Sequence, residues 1–211
     1  MNRKALKFHL SHFYFVCLSL LLLFFLIFLM VRGHAGSFLM LNSIHNKPLD
    51  VFFAGFTFIG DGIFAVLLCV ILFLFIKTQR LSMVLLVSYV VSGLLAQLAK
   101  HLLNSPRPIS FFTPDQYNKY VEGVHIAGAY SFPSGHTTTA FALAAVLACF
   151  TNKKSLQLVY LLLASFAGYS RIYLGQHFLT DVLCGAILGT LIAVITIQVS
   201  EKIGYKKPIT L

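Results

Sequence analysis

From Phe13 to Val31 the chain runs for nineteen residues without a charge, and Leu, Phe and Ile make up most of them. A stretch this long and apolar is stable in a bilayer as a helix, which satisfies its own backbone N–H and C=O groups. Five more apolar segments follow, at Ile59–Ile76, Leu81–Leu103, His136–Phe150, Ser155–Tyr169 and Phe178–Val199. Their runs do not alternate apolar and polar residues, which argues against a β-barrel. With 58% hydrophobic and 10% charged residues, the 211-residue chain reads as an all-α, polytopic integral membrane protein. The expectation is one domain over residues 1–211, with six transmembrane helices in a bundle. The fourth and fifth segments are short and must extend into their flanks or sit in thinned bilayer. Leu49–Phe58, cut from the second span by Gly60-Asp61-Gly62, reads as a short interfacial helix.

The N-terminus, MNRKALKFHLSH, is basic and precedes the first apolar run. A cleaved signal peptide is the competing reading, with Gly33-His34-Ala35 as a small-x-small site. The run exceeds a signal core of roughly 7–15 residues, so it reads as an uncleaved span. Six spans place ten of the sixteen Lys and Arg on one side and six on the other. The positive-inside rule then puts both tails, 1–12 and 200–211, in the cytoplasm. The net charge of +10 comes from scattered cations, not a stripe. Anionic headgroups and topology account for it better than nucleic acid does. The four cysteines lie in apolar segments without metal-ligand spacing and read as small hydrophobes.

Against this apolar background, a few ionisable residues are conspicuous, because charges near a bilayer are costly and functional by default. Three motifs hold them: KHLLNSPRP with Lys100 and Arg107; PSGH with Ser134, Gly135 and His136; and SRIYLGQHFLTD with Arg171, His177 and Asp181. His177 and Asp181 are four residues apart, so they share a helix face. A carboxylate on one ring nitrogen fixes the tautomer and leaves the other nitrogen nucleophilic. Arg171, just upstream, has the fork that matches phosphate oxygens. An interfacial His-Asp pair beside a snorkelling Arg is the plain alternative.

PSGH opens the fourth span. Ser134 suits an N-cap, Gly135 permits close backbone approach, and the free N–H groups of a helix start attract anions. His136 then stands where it could give a proton to a leaving oxygen. An ordinary capped helix start explains the motif equally simply, and Thr137–Thr139 read as helix-start filler. In KHLLNSPRP, Pro106 should end the third helix near Asn104, letting Arg107 turn back toward Lys100. A basic membrane boundary is the plain alternative there.

Taken together, the motifs sit at span ends on one expected face. The pattern K-x6-RP, PSGH, SR-x5-H-x3-D resembles that of the type 2 phosphatidic acid phosphatases, which share a superfamily with vanadium haloperoxidases and class A bacterial acid phosphatases. The motifs cover 100–181. The resemblance implies an extracytoplasmic lipid phosphatase without a metal or other cofactor. Lys100, Arg107 and Arg171 would bind the phosphoryl oxygens with Ser134 and the Gly135 backbone. His177 would become a phosphohistidine, Asp181 would orient it, and His136 would protonate the leaving group and then activate water.

Candidate substrates are undecaprenyl diphosphate, phosphatidylglycerophosphate, phosphatidic acid and lipid A, with the tail entering between spans. A phosphotransferase using the same phosphohistidine, or a non-catalytic anion- or lipid-binding membrane protein, are the alternatives. A soluble haloperoxidase does not fit a membrane-embedded site. Partners are the bilayer and a lipid phosphate, with no nucleic acid and no obligate protein. The short loops suit a bacterial inner-membrane enzyme. Neither Asp50 nor Asp61 has the pairing a metal site needs. Asp61 reads as a helix-boundary residue, with a contact to the site as the alternative. Ile109–Tyr130, polar but rich in Phe and Tyr, reads either as a loop anchored at the headgroups or as a lid.

Overall fold

The computed structural model describes residues 11–76 and 78–203. Most of both expected tails, residues 1–10 and 204–211, and Lys77 therefore lie outside the described residues. The regular elements are α1 (His12–Leu41), α2 (Lys47–Phe56), a 3-10 turn (Thr57–Gly60), α3 (Gly62–Leu74), α4 (Gln79–Leu103), the short α5 (Pro108–Phe111), α6 (Gly135–Cys149), α7 (Lys154–Tyr173) and α8 (Leu179–Lys202). Among the described residues there is no strand.

Among the described residues, three helices are long and apolar enough to cross a membrane: α1, α4 with its continuation to Phe111, and α8. The α2-turn unit and α3 make a fourth if their 57° bend is one broken span. The remaining two expected spans differ from these. The α6 helix has fifteen residues, so it rises about 22 Å against a hydrocarbon core of about 30 Å. It does not extend into its flanks. Instead it is sheathed by α4, α7 and α8, with nearly every residue from Thr137 to Cys149 buried. A helix apolar all round is stable when protein surrounds it. The α7 helix does lengthen, to twenty residues, beyond both expected ends.

The helix boundaries follow local chemistry. Asn46 caps α2 through Leu49 N–H at 2.9 Å and Asp61 caps α3 through Ile63 N–H at 2.7 Å. The α4 helix stops at Leu103, with Asn104 in the left-handed region at φ 40° before Pro106. The α6–α8 contact is the most intimate in the bundle. A Cβ at Gly185 would lie 2.7 Å from Ser134 O, and one at Gly189 would collide with Thr138 O. Only glycine lets these backbones meet.

A buried network ties the chain after α1 to the end of α7. Asn42 Nδ2 donates to Ile172 O and Tyr173 O, both at 2.7 Å. His45 bridges Asn42 and Asp50, and Tyr173 O–H donates to Asp50 at 2.6 Å. The 109–130 connection is anchored by protein. Phe112 and Tyr117 are buried against Phe38, with ring centroids 5.5 and 5.0 Å away, and join a cluster that contains Phe178. The four cysteines are free thiols.

Candidate active site

The three motifs converge. Lys100 stands in the last turn of α4, Arg107 just before α5, Ser134 at the N-cap of α6, Arg171 in the last turn of α7, and His177 and Asp181 at the start of α8. Ser134 N–H donates to Asp181 O at 3.0 Å, which pins the start of α6 to the first turn of α8. A Cβ on Gly135 would lie 4.0 Å from Lys100 Cε, so the lysine stem passes over the α6 N-terminus.

At the centre, His177 is 2% exposed. Its Nδ1 faces Asp181 Oδ2 at 3.3 Å. That carboxylate oxygen also accepts from Ser131 O–H at 2.6 Å and from Phe178 N–H at 2.9 Å. Held by three groups, Asp181 accepts the Nδ1 proton, and the Nε2 lone pair stays available. Burial pushes the His177 imidazole down to about 3, with Arg171 and Arg107 adding to the effect and Asp181 opposing it. The ring is therefore neutral at neutral pH.

The three cations are oriented by the protein and keep donors in reserve. Lys100 Nζ donates to Tyr130 O at 2.7 Å. Arg107 donates through Nε to Ala129 O at 3.0 Å and through its guanidinium to Gln176. Arg171 donates to Thr57 Oγ1 at 2.7 Å, and its buried Nε has no hydrogen-bond partner among the described residues. Buried guanidinium N–H groups are expected to be satisfied. Four guanidinium donors on Arg171, three on Arg107 and two ammonium donors on Lys100 are uncommitted by these bonds. An oxyanion with several acceptor oxygens suits such a cluster.

His136 lies at the rim. Its Nε2 is 3.7 Å from Asp61 Oδ2, both side chains being about one-third exposed. A cavity of about 370 Å³ opens beside it, lined by Gly60, Gly62, Tyr89, Gly93, Gly135 and Thr139 among others. Its walls come from the start of α3, the middle of α4 and the first turns of α6.

Thus all eight residues singled out in the motifs stand in one region. The motifs did not mark Ser131, Thr57, Gln176 or Asp61. Ser131 and Gln176 adjoin motif residues, but only the folded chain shows what they hold. Thr57 is 114 residues from its partner, and nothing in its local sequence signals the contact. The expected helix-boundary role of Asp61 is present, and so is the contact to the site. His101, next to Lys100, is exposed beside the Tyr130 ring.

Comparison with known proteins bears on the same residues. A family model described as the PAP2 superfamily matches residues 81–205. An undecaprenyl-diphosphatase of Sulfolobus acidocaldarius is 28% identical over 137 residues, 65% of this chain and 64% of that protein. A lipid A 4'-phosphatase of Bacteroides thetaiotaomicron is 31% identical over 160 residues, 72% of this chain and 69% of that protein. The crystal structure of a transmembrane PAP2-type phosphatidylglycerolphosphate phosphatase from Bacillus subtilis superposes with a TM-score of 0.68 at 27% identity, covering 91% of this chain and 98% of that one.

Proposed function

Because the chain belongs to the PAP2 superfamily, we propose that it is a lipid phosphatase that works through a phosphohistidine at His177. One observation carries the reading: a buried, Asp181-oriented imidazole sits among three cations with spare donors. Such a cluster stabilises a phosphoryl group whose charge grows on its equatorial oxygens.

The geometry supports the following reaction. Lys100, Arg107 and Arg171 bind the phosphoryl oxygens, aided by the Ser134–Gly135 turn and the N–H groups at the start of α6. His177 Nε2 attacks phosphorus, and the bond to the leaving oxygen breaks as His136 delivers a proton to it. His136, now neutral, takes a proton from water. The resulting hydroxide attacks phosphorus, the N–P bond breaks, and inorganic phosphate leaves. Asp181 stays ionised throughout and stabilises the charge that develops on His177.

The relatives act on undecaprenyl diphosphate, lipid A and phosphatidylglycerolphosphate, as their names state. All three are phosphorylated lipids, so the substrate class here is a membrane lipid mono- or diphosphate. The glycine-lined cavity beside His136 suits the lipid portion, because it opens between helices. A single domain over 1–211, with its catalytic core at 100–181, crosses the membrane six times. Both termini lie in the cytoplasm, and the site is on the extracytoplasmic face of a bacterial inner membrane.

Phosphate release by detergent-purified protein, measured with EDTA present, tests the reading across undecaprenyl diphosphate, phosphatidylglycerophosphate, phosphatidic acid and lipid A. Release that survives EDTA and falls on the order of 10⁴-fold in His177→Ala supports it. Equal release by that variant removes His177 as the nucleophile. Release only when a second lipid acceptor is added makes the protein a phosphotransferase.

A further inference from the structure

We propose that Asp61 is a positioning residue that holds His136 as the imidazolium proton donor, and that glycine precedes it at Gly60 because a side chain there would meet the α6 backbone. The inference rests on the phosphatase reading above and adds a residue to it. The Gly60-Asp61-Gly62 break is the one interruption in the second apolar stretch. A capping role alone would need the carboxylate at the start of α3 and nothing from its neighbours. The structure asks more of Gly60, which packs on backbone, than of Gly62, which meets only the end of the Tyr89 side chain. A Cβ on Gly60 would lie 2.6 Å from His136 O and 2.9 Å from His136 Cβ. A Cβ on Gly62 would collide with the Tyr89 hydroxyl. The chain thus presses against α6 on one side and α4 on the other at the residue carrying the acid.

The two carboxylate oxygens divide the work. Oδ1 accepts from Ile63 N–H at 2.7 Å and closes the first turn of α3. Oδ2 faces His136 Nε2 at 3.7 Å. The cap fixes the rotamer that presents Oδ2 to the ring.

The electrostatics explain why a proton-donating His136 needs such a partner. Facing it are Lys100 and Tyr89 from α4, Arg107 from the 104–107 turn, and Arg171 from α7. On the α8 side His177 and Asp181 are paired with each other. Burial first, and then the three nearby cations, disfavour a charged His136 ring. Asp61 is the carboxylate directed at His136, and it favours the charged ring. In the first step the His136 proton passes to the leaving oxygen as the P–O bond breaks. In the second the ring recovers a proton from water. Asp61 remains a carboxylate in both.

The test separates this role from capping. Asn and Ser both cap helices well, so Asp61→Asn and Asp61→Ser keep the start of α3 while removing the charge. First-turnover release is measured with a lipid phosphate, whose alkoxide leaving group needs a proton, and with an aryl phosphate, whose phenolate needs little help. The expected result is at least a tenfold loss on the lipid phosphate and a much smaller loss on the aryl phosphate. The alkaline limb of the lipid pH–rate profile should move to lower pH. In a His136→Ala background the Asp61 substitutions should have no further effect. Equal losses on both substrates, additivity with His136→Ala, or an unmoved alkaline limb would overturn the inference. Loss of phosphohistidine in wild-type protein would overturn the phosphatase reading itself. A dead His136→Ala beside wild-type-like Asp61 variants would overturn this inference alone.

Discussion

Ser131 Oγ donates a 2.6 Å hydrogen bond to Asp181 Oδ2, the same oxygen that faces His177 Nδ1 at 3.3 Å. Two residues fifty apart in sequence are thereby joined beneath the His177 ring. The serine is fully buried and its hydroxyl serves this pair: it donates to the carboxylate and lies 3.4 Å from His177 Nδ1.

Ser131→Ala should therefore impair chemistry more than binding. A hydrogen bond to a charged group contributes about 1.5–3 kcal/mol, which corresponds to roughly a 10- to 100-fold loss. The loss should fall in kcat with KM nearly unchanged, because the serine donates no bond to the cations. Steady-state kinetics on the preferred lipid phosphate give the split. A change confined to KM would mean that Ser131 shapes the substrate site instead.

Stability should respond to pH through His177. Its folded value, about 3, lies below the ordinary value of 6.5. Below 6.5 the unfolded chain takes up a proton that the folded ring refuses. Stability is thus fully present above pH 6.5 and is lost progressively as pH falls toward about 3. Thermal unfolding of wild type and His177→Gln in detergent, compared between pH 8 and pH 4, isolates this ring. The wild-type Tm should drop more steeply on acidification. Parallel curves would mean that the ring titrates alike in both states.

The α6–α8 seam should tolerate no side chain. Gly189→Ala drives a methyl group into Thr138 O and should cost about 1–3 kcal/mol as the helices move apart. Gly93→Ala is the control, since a Cβ there meets nothing within 4 Å. In mid-helix it should be neutral or stabilising by up to about 1 kcal/mol. Differential thermal unfolding of the two variants checks the contrast. Equal Tm values would show that the seam can relax.

Arg171→Lys should be far from conservative. Arg171 anchors to Thr57 and keeps the rest of its fork for substrate. A lysine ammonium at the end of a shorter reach cannot do both. A roughly 100-fold loss in kcat/KM corresponds to about 2.7 kcal/mol of transition-state stabilisation. Thr57→Val should lose less, since it disturbs orientation without removing charge. Activity of both variants on one substrate gives the order, and a larger loss in Thr57→Val would reverse the assignment.

Much of this molecule was legible before any folding was considered. The apolar runs set the helices, because a backbone in lipid must satisfy itself along its own length. Spacing brought Asp181 to His177, although His177 lies just before the Phe178 N-cap of α8 and not on a helix face, and Pro106 ended α4 at Leu103. Such features depend on neighbours a few residues apart, where helical geometry is already known. The environment of α6 was not legible. Its fifteen residues resemble a short span, yet their neighbours are α4, α7 and α8. Composition cannot distinguish lipid from protein as the apolar surroundings of a helix. Nor was the set of residues that orients the motifs legible. Ser131 reaches Asp181, Thr57 reaches Arg171, and Asp61 reaches His136 across long stretches of chain. The candidate site residues were readable because charge in an apolar chain is conspicuous. Which residues aim them was decided by helix packing, since a hydroxyl or carboxylate acquires its role only from the atom that the fold brings opposite it.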